Sequence, residues 1–200
     1  LNSLNKKINF IPVYWMASED HDFDEISYFN YKSNKIKWKT NQKGSVGKMN
    51  LDELKPVLDF FEKKLNDSKN SQEIKELIKL SYRSSKNLAE ATLKIVNSLF
   101  GKYGLIIIDA DSKSLKNIFK VYMKSEIINN NCHDQVNIQI ETLKKEYNSK
   151  FKPQVNPRLI NLFYLNKGGR YRIEKKKNQF VLIGSNKKFS KNDLINEIEN

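Results

Sequence analysis

The sequence is poor in cysteine, in long apolar runs and in arginine, and the first two shortages already exclude several classes of protein. The single cysteine, Cys132, excludes an internal disulfide framework and a zinc site built from several cysteines. No apolar run approaches the ~20 residues that a membrane-spanning helix needs. We therefore expect a cytoplasmic protein without a multi-cysteine metal site.

Acidic residues are outnumbered by basic ones, which gives the 200 residues a formal net charge of +13. Clustered lysine and arginine would indicate nucleic-acid binding, because they neutralise phosphates. Here the 36 basic residues are spread along the whole chain, which favours a solvated basic surface and an anionic small-molecule substrate. A basic nucleic-acid-binding module remains the alternative.

The most informative segment joins an apolar run, INFIPVYWM, to a block of acidic residues. The run shows no 3.6-residue period and predicts a buried β-strand. An open α/β sheet collects its active-site groups just past such a strand, and here that position holds Glu19, Asp20, His21 and Asp22. A histidine flanked by carboxylates can exchange protons near neutral pH, so these four are the predicted catalytic residues. The alternative is that Asp20 or Asp22 caps a helix starting near Phe23.

A metal site is not predicted from these residues. Consecutive side chains at the end of a strand point in opposite directions, so the four side chains of the block cannot converge on one ion. The other histidine, His133, has no partner at ligand spacing.

A second apolar run, Leu105 to Ile108, is followed by Asp109 and Asp111. The two carboxylates share one face of an extended chain and could bind a metal or a ligand hydroxyl, or Asp111 could cap the next helix. Periodicity predicts a hairpin and helices between the two runs, and further helices after the second. The alternation of strands and helices predicts an α/β fold with parallel strands.

Two further features bear on ligand binding. The turn GSVGK, residues 44–48, lacks the complete P-loop spacing and is predicted to be a turn before a helix. A strand and hairpin region at about 153–185 contains Arg158, Arg170 and Arg172. A guanidinium binds carboxylate or phosphate through a planar fork, which lysine lacks, so these arginines favour an anionic substrate. Surface ion pairing is the alternative role.

Several blocks together resemble the BshC family, the cysteine-adding enzymes of bacillithiol biosynthesis: PVYWMASEDHDFDEI, GSVGKM, LFGKYGLIIIDAD, QVNPRLINLFYL and GGRYRI. The resemblance covers essentially the whole chain. It implies a Rossmann-like parallel-sheet core, related to nucleotidyltransferases, with a helical connecting region inserted at about residues 40–100. The family's phosphate-binding turn would precede Leu1, and its dimer-forming coiled coil would follow Asn200. The chain is therefore expected to be part of a longer protein that forms homodimers.

The resemblance also implies a reaction, in which L-cysteine is joined to glucosaminyl-malate in the last step of bacillithiol biosynthesis. ATP or ADP is the implied cofactor, because the cysteine carboxylate needs activation. Glu19, Asp20, His21 and Asp22 match the family's acidic signature. Substrate-binding roles are expected for Trp15, Glu25, Asn156, Arg158, Tyr164, Arg170 and Arg172. A nucleotidyltransferase-like enzyme with another acceptor remains an alternative.

This sequence departs from the family pattern at two positions. Leu159 stands where an acid usually follows the arginine of the Asn-Pro-Arg turn, and Ser27 stands where asparagine is common. The first departure weakens the expectation of a salt bridge beside Arg158.

Overall fold

A computed structural model describes residues 7–147, 151–166 and 169–199, and these residues divide into two compact units. The first unit comprises the described residues up to Ser112 together with Gly169, and the second comprises the rest. None of the helices in the described ranges combines the length and the apolar character that crossing a membrane requires.

The first unit contains the following strands and helices in chain order: β1 (Val13–Met16), α1 (Phe23–Ile26), β2 (Tyr28–Tyr31), β3 (Asn34–Lys37), α2 (Lys55–Lys64), α3 (Lys69–Ile78), α4 (Leu88–Phe100) and β4 (Ile106–Asp109). β2 and β3 form the predicted antiparallel hairpin. β1 and β4 pair in parallel, with Met16 opposite Asp109. The predicted parallel arrangement is therefore confirmed, and the ends of both apolar runs meet at one edge.

The prediction that these two strands are buried is wrong for the described residues. Val13 and Trp15 of β1 are 50% and 62% exposed, and Ile106 of β4 is 47% exposed. Only Met16 of β1 is buried. Within the described ranges β1 and β4 pair only with each other, so little apolar surface covers their side chains.

The core of the first unit is helical and lies around α2, α3 and α4. Pro56 occupies the first turn of α2, where its missing N–H leaves no hydrogen bond unmade. Ser68 and Asn87 cap α3 and α4 through their side-chain oxygens. The buried residues of this core are Trp38, Val46, Met49, Leu51, Leu54, Leu58, Ile78 and Ala91.

Two local features connect this core to the ends of the parallel strands. Phe23, the first residue of α1, packs edge-on against Trp38 with ring centroids 4.9 Å apart. The residue directly after the acidic block, Phe23, therefore packs against the core. On the other side, α4 ends in a short 3-10 turn and Gly104, whose φ of +81° lies in the left-handed region that favours glycine.

The second unit contains α5 (Lys113–Asn129), α6 (Asn131–Tyr147), β5 (Phe163–Asn166), β6 (Gly169–Lys176), β7 (Gln179–Leu182), β8 (Lys188–Phe189) and α7 (Lys191–Glu199). The strands form one sheet in the order β5-β6-β7-β8. Ser190 caps the start of α7, because its Oγ accepts a hydrogen bond from the Asp193 N–H at 3.2 Å. The core of this unit is formed by Ile127, Ile160, Ile173, Phe180, Leu182, Phe189 and Leu194.

Candidate active site

The candidate active site of the first unit lies at the carboxyl end of the β1–β4 pair. The Ala110 N–H donates to the Met16 carbonyl at 3.2 Å, which joins the residue after β4 to the last residue of β1. The Ser18 hydroxyl donates to Asp109 Oδ1, and its oxygen accepts the Asp111 N–H at 3.2 Å. The segments that follow the two strands are therefore bonded to each other, at the edge where open α/β sheets bind their ligands.

Asp109 and Asp111 hold this edge of the sheet together. Asp109 Oδ1 accepts the Asp111 N–H at 3.0 Å in addition to the Ser18 hydroxyl. Asp111 Oδ2 forms an ion pair with Lys48 Nζ at 2.6 Å, and only 9% of the Asp111 side chain is exposed. Both carboxylates therefore have protein partners at the strand ends.

The turn at residues 44–48 packs directly against the acidic block. The Val46 N–H donates to the Asp20 carbonyl at 2.7 Å, and the Gly47 N–H donates to the Ser18 carbonyl at 2.9 Å. A Cβ atom on Gly47 would lie 2.6 Å from Ser18 Cβ and 2.7 Å from Ser18 O, so a larger residue could not approach so closely. The turn is therefore a second wall of the site, and it supplies Ser45.

Unpaired buried polar atoms are concentrated where this turn meets the acidic block. In the described ranges, six side-chain nitrogen and oxygen atoms are buried without a hydrogen-bond partner. Four of the six are Glu19 Oε2, both ring nitrogens of His21, and Ser45 Oγ. An unpaired buried group costs about 1–3 kcal/mol, so native structures keep such groups rare. Their concentration here marks a place where the polar groups of a ligand would complete the hydrogen bonding.

The other residues of the block have different surroundings. Asp20 Oδ1 accepts the backbone N–H of His21 at 2.8 Å. Asp22 stands at the N-cap position of α1, which begins at Phe23 as the alternative interpretation of the block expected, but its side chain makes no capping hydrogen bond. Glu25 and Trp15 are exposed. No three histidine, cysteine, aspartate or glutamate side chains in the described part of the chain are grouped so that they could hold a metal ion.

The second unit gathers three of the predicted substrate-binding residues around one cavity of about 420 Å³. Its lining includes Asn156, Arg158 and Arg172 together with Cys132, His133 and Asn161. The Arg158 guanidinium donates to Asn161 Oδ1 at 3.4 Å. Its central carbon also lies 5.0 Å from the centroid of the Phe163 ring.

The neighbourhood of this cavity is fixed by a buried carboxylate. Glu126 is 8% exposed, and its two oxygens accept the backbone N–H groups of Cys132 and Asn161, each at 2.9 Å. These two bonds tie the start of α6 to the segment that carries Arg158. Because both oxygens are engaged by the backbone, Glu126 acts here as a structural residue.

Three predicted residues of the second unit, Arg170, Arg172 and Tyr164, contact neighbouring side chains. Arg170 lies over the Phe163 ring at 4.7 Å, and Arg172 forms an ion pair with Glu174. Tyr164 donates to Glu197 Oε2 at 2.8 Å, accepts from Lys187 Nζ at 2.9 Å, and lines a different cavity. The hydrogen bond to Tyr164 and the charge of Glu197 raise the pKa of Lys187. Tyr164 is therefore not brought together with Asn156 and Arg158.

Comparison with known proteins assigns the chain. A sequence profile described as "Bacillithiol biosynthesis BshC, N-terminal Rossmann-like domain" matches residues 2–200. The chain belongs to the BshC family. This confirms the resemblance drawn from the sequence blocks and the expected Rossmann-like α/β class.

Three relatives carry the name "Putative cysteine ligase BshC". The protein from Flavobacterium johnsoniae is 41% identical over 200 residues, which cover 100% of this chain and 37% of the relative. The protein from Flavobacterium psychrophilum is 40% identical over 96% of this chain and 35% of its own length. The protein from Christiangramia forsetii is 35% identical over 96% of this chain and 36% of its own length. The chain thus spans little more than a third of the BshC proteins that it matches.

Sequence reasoning missed the turn at 44–48 as part of the site. The sequence analysis compared its two glycines and its lysine with the P-loop pattern. In the structure, Gly47 allows the turn to approach Ser18 closely, and Lys48 forms an ion pair with Asp111. The signal that could have identified the turn is GSVGKM itself, one of the blocks that resemble the BshC family. Ser18, which stands directly before the acidic block, gave no signal of its own.

Proposed function

We propose that the protein, in its full encoded length, joins the carboxyl carbon of L-cysteine to the amino nitrogen of glucosaminyl-malate. The new C–N bond replaces one C–O bond of the cysteine carboxyl group, whose oxygen would leave as water or, if the carboxylate is first activated, with the activating group. The product of this amide bond formation is bacillithiol. Membership of the BshC family supports the pathway. The observation that carries the assignment of the site is the group of buried, unpartnered atoms on Glu19, His21 and Ser45 at the carboxyl end of the parallel strands.

Proton transfer is the role that fits His21. A primary amine is largely protonated near neutral pH and cannot attack a carboxyl carbon until it loses that proton. A neutral imidazole can accept the proton, and both His21 nitrogens lack a protein partner among the described residues. Glu19 Oε2 and Ser45 Oγ can accept the remaining N–H groups of the same ammonium. The acidic block would therefore hold and deprotonate the amine.

Carboxylate binding is the role that fits the cavity of the second unit. The malate part of glucosaminyl-malate carries carboxylates, and a guanidinium binds a carboxylate through two parallel hydrogen bonds. Arg158 is oriented by the Phe163 ring and by Asn161, which reduces the side-chain entropy lost on binding. Asn156 and Arg172 line the same cavity and would complete the carboxylate site.

The turn at residues 44–48 does not itself form the phosphate cradle that an ATP-dependent activation would use. In the turn at 44–48, the backbone N–H groups of Val46, Gly47 and Lys48 already donate to protein carbonyls. The Lys48 ammonium is paired with Asp111. ATP use is therefore a proposal for this protein, and it is tested by following ADP and AMP during turnover. Homodimer formation is likewise a proposal, tested by sedimentation of the full-length protein.

The central test is the replacement His21→Ala in the full-length protein, assayed for bacillithiol formation from cysteine and glucosaminyl-malate. General base catalysis is typically worth about 10²–10⁴-fold, so we expect turnover to fall by that range. The same variant must retain the thermal unfolding transition of the parent protein. Undiminished turnover in a folded His21→Ala protein would remove His21 from the mechanism.

A further inference from the structure

Every polar group of Ser18 is hydrogen-bonded, and its carbonyl and hydroxyl connect separate parts of the first unit. Its N–H donates to the Met16 carbonyl at 2.8 Å, and its carbonyl accepts the Gly47 N–H at 2.9 Å. Its hydroxyl donates to Asp109 Oδ1 and accepts the Asp111 N–H at 3.2 Å. The residue is 4% exposed, so these bonds are shielded from water.

The three segments that Ser18 connects are far apart in the sequence. Asp109 and Asp111 lie 91 and 93 positions away, at the end of β4. Gly47 belongs to the turn that supplies Ser45, and its missing Cβ permits the approach to Ser18. Ser18 thus fixes one point that is common to β1, β4 and the turn.

The acidic block starts one residue beyond this fixed point. Glu19 and His21 depend for their position on where the chain leaves Ser18 and on the bond between the Val46 N–H and the Asp20 carbonyl. Among the described residues, Glu19 Oε2 and the two ring nitrogens of His21 have no hydrogen-bond partner. Their positions are therefore set by the backbone to which they are attached.

We propose that Ser18 is a positioning residue for the acidic block: its hydroxyl, bonded to the end of β4, sets the place at which Glu19 and His21 meet a substrate. The effect on catalysis rests on the proposed function, in which Glu19 and His21 contact the substrate. A shift of about 1 Å in a catalytic group can reduce a rate about 10²-fold. Loss of the hydroxyl should therefore reduce kcat/KM, although Ser18 itself touches no reacting atom.

The test compares Ser18→Ala with Ser81→Ala in the full-length protein. Ser81 is a matched control, because it is 0% exposed and its hydroxyl donates to the Leu77 carbonyl of its own helical segment rather than to a distant part of the chain. A second variant, Asp109→Asn, alters the acceptor of the Ser18 hydroxyl with little change in volume. Each variant is checked for folding by its thermal transition, and its pH profile of kcat/KM and the NMR resonance of the His21 ring are measured.

We expect Ser18→Ala and Asp109→Asn to lower kcat/KM about 10-fold to 100-fold. We also expect both to displace the pH profile and the His21 resonance, which a smaller folded fraction alone would not do. Ser81→Ala should leave the profile and the resonance in place. A folded Ser18→Ala protein with an unmoved profile and an unmoved His21 resonance would overturn the proposal. If the parent protein forms no bacillithiol, the proposed function fails, and the His21 resonance still decides whether Ser18 positions the block.

Discussion

Replacing His21 with leucine should remove activity without reducing stability. Both ring nitrogens of His21 are buried without a partner among the described residues. Leaving the polar atoms of the ring unpaired costs the folded protein up to about 1–3 kcal/mol, and an apolar side chain of similar size carries no such cost. We therefore expect His21→Leu to leave the free energy of unfolding unchanged or to raise it by up to about 3 kcal/mol. Turnover should fall about 10²–10⁴-fold.

His133 is the matched control, since it is the other of the two histidines. Its Nδ1 lies 2.9 Å from Asp134 Oδ1, and its Nε2 lies 3.1 Å from Asn137 Nδ2. His133→Leu loses these contacts, so we expect the free energy of unfolding to fall by about 0.5–1.5 kcal/mol. Urea unfolding of both variants beside the parent gives the comparison. The reasoning is refuted if His21→Leu loses as much stability as His133→Leu, because His21 would then have partners in the folded protein.

Three further changes test other parts of the structure. Arg158→Lys keeps the charge but loses the planar fork, so the KM for glucosaminyl-malate should rise roughly tenfold with kcat little changed, as measured by steady-state kinetics. Asn87→Ala removes the acceptor of the Glu90 N–H at 2.9 Å, so urea unfolding should show a loss of about 1 kcal/mol. Burial, aided by the neighbouring Tyr14, raises the pKa of Tyr82 above that of the same phenol in the unfolded chain. The contribution of Tyr82 to the free energy of unfolding should therefore be complete below about pH 10. It should fall as the pH rises toward the folded-state pKa, because the phenol of the unfolded chain ionises first. Urea unfolding of Tyr82→Phe across this alkaline range should show a smaller fall.

Each of these expectations has a result that contradicts it. A KM unchanged by Arg158→Lys would mean that the guanidinium does not bind the substrate through its fork. An Asn87→Ala protein as stable as its parent would show that the cap adds nothing to α4. An alkaline loss of stability that is the same in Tyr82→Phe and in the parent would assign that loss to other groups.

Local features of the fold followed from the sequence because their causes are local. Pro56 lies in the first turn of α2, and Asn87 and Ser190 cap α4 and α7 through hydrogen bonds to residues three positions later, so each cause lies within one turn of the chain. The burial of β1 did not follow, because burial depends on what packs against a strand. The apolar run that ends at Met16 has the composition of a buried strand, yet within the described residues β1 has β4 as its only strand partner.

The residues of the candidate site also fall into two groups: those that the local sequence identifies and those that depend on contacts with distant segments. The acidic block could be recognised from the sequence because a histidine among carboxylates after an apolar run is unusual. The roles of Ser18, Ser45 and Lys48 could not, since each depends on a contact with a distant segment. Binding roles for Arg158, Arg170 and Arg172 were expected from the chemistry of arginine, and those for Asn156 and Tyr164 from the family resemblance. That Asn156, Arg158 and Arg172 line one cavity while Tyr164 bonds to Lys187 and Glu197 depends on contacts between distant segments.

The most direct test of the account is isotope tracing of the bond that the protein is proposed to form. The full-length protein is supplied with cysteine labelled with ¹³C at its carboxyl carbon and with glucosaminyl-malate labelled with ¹⁵N at its amine. The account predicts a product in which the two labels are directly bonded, visible as ¹³C–¹⁵N coupling by NMR, and predicts that the signal is lost with His21→Ala. Cysteine consumed without this coupling, or coupling undiminished in the folded His21→Ala protein, would contradict it.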